Sequence, residues 1–171
     1  MFDEHGNLPA GFTDWTIQEV RERLVDAFPS SQSRPTIMAG YMRLRADMQP
    51  FACDGEHWID GSFSTAKAEP GDLDLLTVAD KDAIDNLTPA QQQEWQGLVA
   101  GAATKAGYSC DSYFLPSVPE NHPLYGRFRT WRKYWMGEFG FDREDRPKGI
   151  VRVAVLDPPP PPPPAEERVT S

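Results

Sequence analysis

The chain has 171 residues, of which 39% are hydrophobic and 11% aromatic, enough for one domain with a real core, and it shows no internal repeat. Its 26 acidic and 17 basic residues give a formal net charge of -9, which excludes a protein that coats nucleic acid through its overall field and suits one that uses metal ions. No apolar run reaches the roughly 20 residues of a membrane span, the start is charged rather than signal-like, and Cys53 and Cys110 show no ligand spacing, so a cytoplasmic protein with reduced thiols is expected.

A Gly- and Pro-punctuated lead over residues 1–15 precedes Thr16-Ile17-Gln18-Glu19, a capping box that opens a helix with Ile17, Val20, Leu24 and Phe28 on its apolar face. Pro29 stops it. Pro35 to Met48 reads as a second helix, with Ile37, Tyr41, Leu44 and Met48 on one stripe. Trp58 to Phe63 is the first strand and carries Gly61 and Ser62 at its end; a polar connection through Pro70-Gly71 leads to a second strand over Asp72 to Val78. Thr88-Pro89 opens a long helix through Lys105, with Trp95, Leu98, Val99 and Ala102 inward and Gly107 as its stop. A third strand follows over Tyr108 to Leu115 and carries Asp111.

Between Asn121 and Gly140, Leu124, Phe128, Trp131, Trp135 and Phe139 recur at near-helical spacing, which makes them core anchors. Arg127, Arg129, Arg132 and Lys133 between them are either a solvated face or contacts for a phosphate tail or an RNA. Gly149 to Leu156 closes the sheet, and Lys148 either reaches the site or flanks that strand, the second being expected. From Asp157 the chain changes to seven consecutive prolines, Pro158 to Pro164. Such a run favours polyproline II and extends roughly 22 Å; a solvated, disordered tail over 157–171 is expected, with docking to an aromatic groove on a partner as the other reading. The sum is one α/β (α+β) domain over 1–156, a mixed sheet of about four strands with helices packed against it.

The chemistry centres on Asp72-Leu73-Asp74. Alternate strand residues share a face, so these two carboxylates project together with Cα atoms roughly 6.5 Å apart. Like charges at the mouth of an apolar strand are tolerated mainly when a cation neutralises them, and an all-oxygen set without His or Cys suits Mg²⁺ or Mn²⁺. Upstream of this pair stands Gly61-Ser62, separated from Asp72 by the nine residues 63–71: Gly61 lets backbone approach a phosphate, and the Ser62 hydroxyl can donate to phosphate oxygens. Ser64, Thr65 and Lys67 are further phosphate-binding candidates.

With Gly61, Ser62, Asp72 and Asp74 in those positions, the chain resembles the polymerase-β-type nucleotidyltransferase superfamily. That resemblance implies a third carboxylate on a later strand, for which Asp111 is the candidate. A narrower likeness, to a group of small bacterial proteins, rests on Asp60-Gly61-Ser62-Phe63, Asp72-Leu73-Asp74-Leu75 and Pro147-Lys148-Gly149-Ile150 and brings no reaction with it. The wider resemblance implies that Asp72, Asp74 and Asp111 ligate two divalent metals, that Gly61 and Ser62 cradle an NTP, and that a nucleoside monophosphate passes to an acceptor hydroxyl on a protein, an RNA end or a small molecule. By the same analogy the acceptor or a partner protein belongs to a toxin–antitoxin or phage-defence pair. Two other readings stay open: a catalytically silent relative acting as a partner-binding or antitoxin-like module, and a metal-dependent glycosyltransferase, for which 171 residues leave little room.

Overall fold

The computed structural model describes residues 1–51 and 54–156, so Cys53 and the expected tail over 157–171 lie outside the described residues. Within them a five-stranded mixed sheet carries six α-helices. The strands are β1 (Gly11–Asp14), β2 (Gly55–Asp60), β3 (Leu73–Asp80), β4 (Cys110–Ser117) and β5 (Gly149–Ala154), in the spatial order β1-β5-β2-β3-β4. β5 runs parallel to β1 and antiparallel to β2, β2 runs antiparallel to β3, and β3 runs parallel to β4.

The α/β class agrees with the sequence reading, but the sheet has five strands where about four were expected. The additional strand is β1, four residues in the lead segment. It gives no hairpin signal because its partner is β5, paired in parallel from Gly11↔Gly149 to Asp14↔Arg152.

Strand alternation splits the sheet into two apolar faces. On one, Ile59, Leu73, Leu75, Val151 and Val153 meet α2 (Ser33–Met48), whose Ile37, Met38, Tyr41, Leu44 and Met48 are all buried. Each such aliphatic side chain contributes about 1.5–3 kcal/mol when removed from water. Val20 of α1 (Ile17–Arg21) and Trp95 and Leu98 of α4 (Pro89–Leu98) complete that layer. On the opposite face, Trp58, Leu76, Val78, Leu115 and Ile150 are covered by α6 (Tyr125–Phe139) through Phe128, Trp135, Met136 and Phe139. Trp131, expected in the core, is 52% exposed.

The capping box before α1 is formed: Glu19 N–H donates to Thr16 Oγ1 at 3.1 Å and Thr16 N–H to Glu19 Oε2 at 2.9 Å. The helix then continues as a π-helical turn over Glu22–Asp26 and ends before Pro29. Asp80 at the end of β3 caps the short α3 (Lys81–Asp85) by accepting from Ala83 N–H at 2.9 Å. The long helix expected from Pro89 to Lys105 stops at Leu98. Gly101, at φ +64°, donates its N–H to Ser112 O at 2.7 Å, so the backbone turns aside to join β4 before α5 (Lys105–Tyr108) forms. Gly107 lies inside α5, and the left-handed residue that ends the helix is Ser109 at φ +56°. No helix among the described residues is long and apolar enough to cross a membrane.

Candidate functional site

Sheet register sets the acidic residues abreast. Asp74 on β3 pairs with Asp60 on β2 and with Asp111 on β4, and residues paired in this way project to the same face. Asp72, just before β3, opens with Asp74 into one cleft. Four carboxylates therefore stand on the face that α6 covers further along, at the sheet end where α6 runs out. The cleft has a volume of about 650 Å³.

Its floor is shaped by the turn after β2. Gly61 opens a 3-10 turn over Gly61–Ser64 at φ +75°, and a Cβ at that position would lie 2.1 Å from Asp74 Oδ2. The carboxylate can sit there only because residue 61 is glycine. Ser62, Thr65 and Lys67 line the cleft beside it. Ser64, expected to meet phosphate, does not: it is fully buried, and its hydroxyl donates to Gly61 O at 3.1 Å inside the turn. The Thr65 hydroxyl likewise donates to Ser62 O at 2.8 Å.

Two residues that the sequence did not mark hold this loop in place. Arg34 on α2 is buried beneath it and donates to the carbonyls of Leu24 (2.6 Å), Phe63 (2.9 Å), Thr65 (2.6 Å) and Lys67 (2.6 Å), with its guanidinium 3.7 Å from the centre of the Phe28 ring. Burial brings the Arg34 pKa down to about 10, which still leaves it charged. Glu69 then caps α2 by accepting from Gln32 N–H and Ser33 N–H at 3.0 and 2.9 Å.

Charge in the site is arranged in pairs. Lys148 does more than flank β5: it is buried in the cleft wall, and its Nζ lies 2.8 Å from Asp60 Oδ1 and 3.0 Å from Oδ2. Burial pushes the Asp60 carboxyl upward, and the Lys148 ammonium opposes that push. Asp72 is ion-paired with Lys105 of α5, whose side chain is half exposed. Among the described residues, neither Asp74 nor Asp111 has such a partner, and Asp111, unlike Asp60, Asp72 and Asp74, does not line the cleft. Asp74 is raised by burial and then by the charges of Asp72 and Asp111, while Asp111 Oδ1 is buried with no hydrogen-bond partner. Opposite them, Arg143 and Arg146 line the cleft, and Arg146 Nη1 is 3.1 Å from His5 Nδ1.

Among the described residues, no group of three or more His, Cys, Asp or Glu side chains converges closely enough to hold a metal ion. The physical reason is visible in the pairing: Asp72 and Asp60 are turned to lysines, which leaves Asp74 and Asp111 as the uncompensated acidic pair. A divalent cation nevertheless fits the donor set. Hard carboxylate oxygens, an orphaned buried Oδ1 and mutual repulsion that lifts Asp74 are what such an ion relieves. The Lys105–Asp72 pair is half exposed on the lysine side, so solvent screens it.

Other polar groups lie away from the cleft. His57 is on the opposite face, sealed and hydrogen-bonded to Tyr41 at 2.9 Å, with burial and then Arg45 bringing its pKa down to about 3. The basic residues Arg127, Arg129, Arg132 and Lys133 do not line the acidic cleft; Arg132 stacks its guanidinium over Phe12 and Trp58.

Fold and site together define an α/β protein with a carboxylate row across three strand ends, facing a glycine-led turn. The chain belongs to a family of unknown function, DUF6932, whose family model matches residues 1–154. No curated protein and no solved structure matches the chain.

Proposed function

We propose that this protein is a nucleotidyltransferase of the polymerase-β type that moves a nucleoside monophosphate from an NTP to an acceptor hydroxyl. The observation that carries the reading is the register Asp60↔Asp74↔Asp111, with Asp72 opening into the same cleft and Asp74 packed against Gly61. Asp72, Asp74 and Asp111 would hold Mg²⁺ or Mn²⁺, which supplies neutralisation of the entering and leaving oxygens of an in-line displacement. Gly61 and Ser62 approach the phosphates through backbone and hydroxyl, and Lys67, Arg143 and Arg146 supply the positive charge that a triphosphate needs in an acidic molecule. The acceptor oxygen forms the new bond to the α-phosphorus as the bond to pyrophosphate breaks, and the hydroxyl proton passes to the Asp111 carboxylate. The acceptor is a protein, an RNA end or a small molecule, and a toxin–antitoxin or phage-defence partner is the setting that the resemblance suggests.

The test is incubation with each labelled NTP, Mg²⁺ or Mn²⁺ and a cell lysate. Label enters an acceptor with the native chain and is lost with Asp72→Asn and Asp74→Asn, both folded by circular dichroism. Labelling that survives both substitutions overturns the reading.

One observation favours a second reading, a silent member of the same fold acting as a partner-binding or antitoxin-like module. Lys105 and Lys148 already neutralise Asp72 and Asp60, as ammonium groups do where a cation is no longer used. That reading expects neither NTP nor divalent cation to bind by calorimetry, and expects partner binding to survive Asp74→Asn.

A further inference from the structure

At the sheet end opposite the acidic cleft, two adjoining hollows of about 800 and 440 Å³ share Phe128 as a common wall. The first starts at Val153 and Ala154, the end of β5, and passes Val78 and Ser117 to reach Phe128. The second continues between β4 and α6 and is walled by Pro116, Val118, Leu124, Trp131 and Trp135. Trp131 and Tyr134 remain 52% and 49% exposed beside it, although they stack edge to face at 5.6 Å. Aromatic-lined grooves are what polyproline II ligands occupy; the second hollow carries Lys81 and Arg127, and the first carries Asp14, Glu19 and Glu56 beside Arg132 and Arg152.

We propose that the chain's own proline run, Pro158–Pro164, docks in this channel. Three features of the molecule select that occupant. The channel begins at Ala154, four residues before Pro158. From β5 to β4 is three strand spacings, about 14 Å, and seven prolines extend roughly 22 Å, so the run reaches Trp131 without strain. Glu166 and Glu167 follow the prolines, and Arg127, in the channel wall with no ion-pair partner among the described residues, is placed to receive them. Tethering supplies an effective concentration in the millimolar range, so a peptide affinity of about 100 µM already fills the channel roughly tenfold over the open state.

The experiment uses the full chain labelled with 5-fluorotryptophan and observed by fluorine NMR, with Trp131→Phe assigning the Trp131 resonance. Replacing Pro158–Pro164 by a Gly/Ser segment of equal length is expected to shift the Trp131 line while leaving the buried Trp58 and Trp95 in place, which reports an intact core. Adding a synthetic peptide spanning Asp157 to Arg168 to that variant is expected to return the line to its original position. Identical Trp131 lines in the native and replaced chains overturn the proposal, and so does equal restoration by a peptide in which serine replaces proline. A native line that moves to the replaced position on dilution assigns the channel to the tail of a second copy and overturns docking within one chain.

Discussion

Gly61 and Lys148 are the two residues on which the geometry of the cleft turns. A side chain at position 61 would meet the Asp74 carboxylate and would have to accept φ +75°, so Gly61→Ala is expected to cost about 1–3 kcal/mol in urea denaturation. Displacing Asp74 by about 1 Å is expected to lower any nucleotidyl transfer roughly 100-fold, read in the labelling assay. Lys148→Met leaves the buried Asp60 carboxyl without its counter-ion and is expected to cost about 3–5 kcal/mol, while Asp60→Asn combined with Lys148→Met recovers most of that loss. A double-mutant cycle in denaturant measures the coupling; independent, additive costs would show that the pair is not a unit. Asp72 and Asp74 were legible in the sequence because strand alternation is local, and Asp111 was legible only through the family resemblance. Asp60 and Lys148 were not, since their meeting depends on two strands 88 residues apart in the chain lying side by side.

Two connecting segments carry the site, and each is fastened by a residue remote in sequence. The loop after β2 rests on Arg34, whose guanidinium reaches four carbonyls at once. Arg34→Lys keeps the charge but loses the planar fork, so it is expected to cost at least about 2 kcal/mol and to speed amide hydrogen exchange across residues 61–71 ahead of the rest of the chain. Uniform exchange would show that the loop is held by other means. The turn between α6 and β5 is organised by Asp142, which accepts from Asn7 Nδ2, Glu144 N–H, Arg146 N–H and Arg146 Nε at 2.8–3.0 Å. Partial burial pushes the Asp142 carboxyl upward, but these donors from Asn7, Arg146 and Glu144 outweigh it and hold the group well below the usual carboxylate range. A depressed acid stabilises the fold above its ordinary pKa and loses that contribution as pH falls through its folded value. Asp142→Asn is therefore expected to be less stable than the native chain at pH 7, with the gap closing from pH 4 towards pH 2 in thermal melts. Helix starts were readable from Thr16 and Thr88, because caps are short-range chemistry. The interruption at Gly101 was not, because a backbone bond to Ser112 across the sheet overrides local helix preference.

Over the whole molecule, the 26 acidic residues behind the net charge of -9 include one row of four carboxylates, two of which are paired with lysines. If divalent ions bind there, millimolar Mg²⁺ raises Tm beyond what NaCl of equal ionic strength does, by an amount corresponding to about 2.7 kcal/mol at a hundredfold excess over Kd. Lys105→Met enlarges that increment by removing a competitor for Asp72, and Asp74→Asn abolishes it. Equal melting in the two salts counts against a cation site. The α/β class was visible in the succession of elements, whereas the strand order was not, since β1 lies beside a segment more than 130 residues away.

That order bears on how the protein is born. Because β5 slots between β1 and β2, the strands β2-β3-β4 can pair without it, whereas β1 has no neighbour in the sheet until β5 is in place. The same segment delivers Lys148, so a product that stops before it keeps Asp60 without its counter-ion and leaves the edge of β2 unpaired.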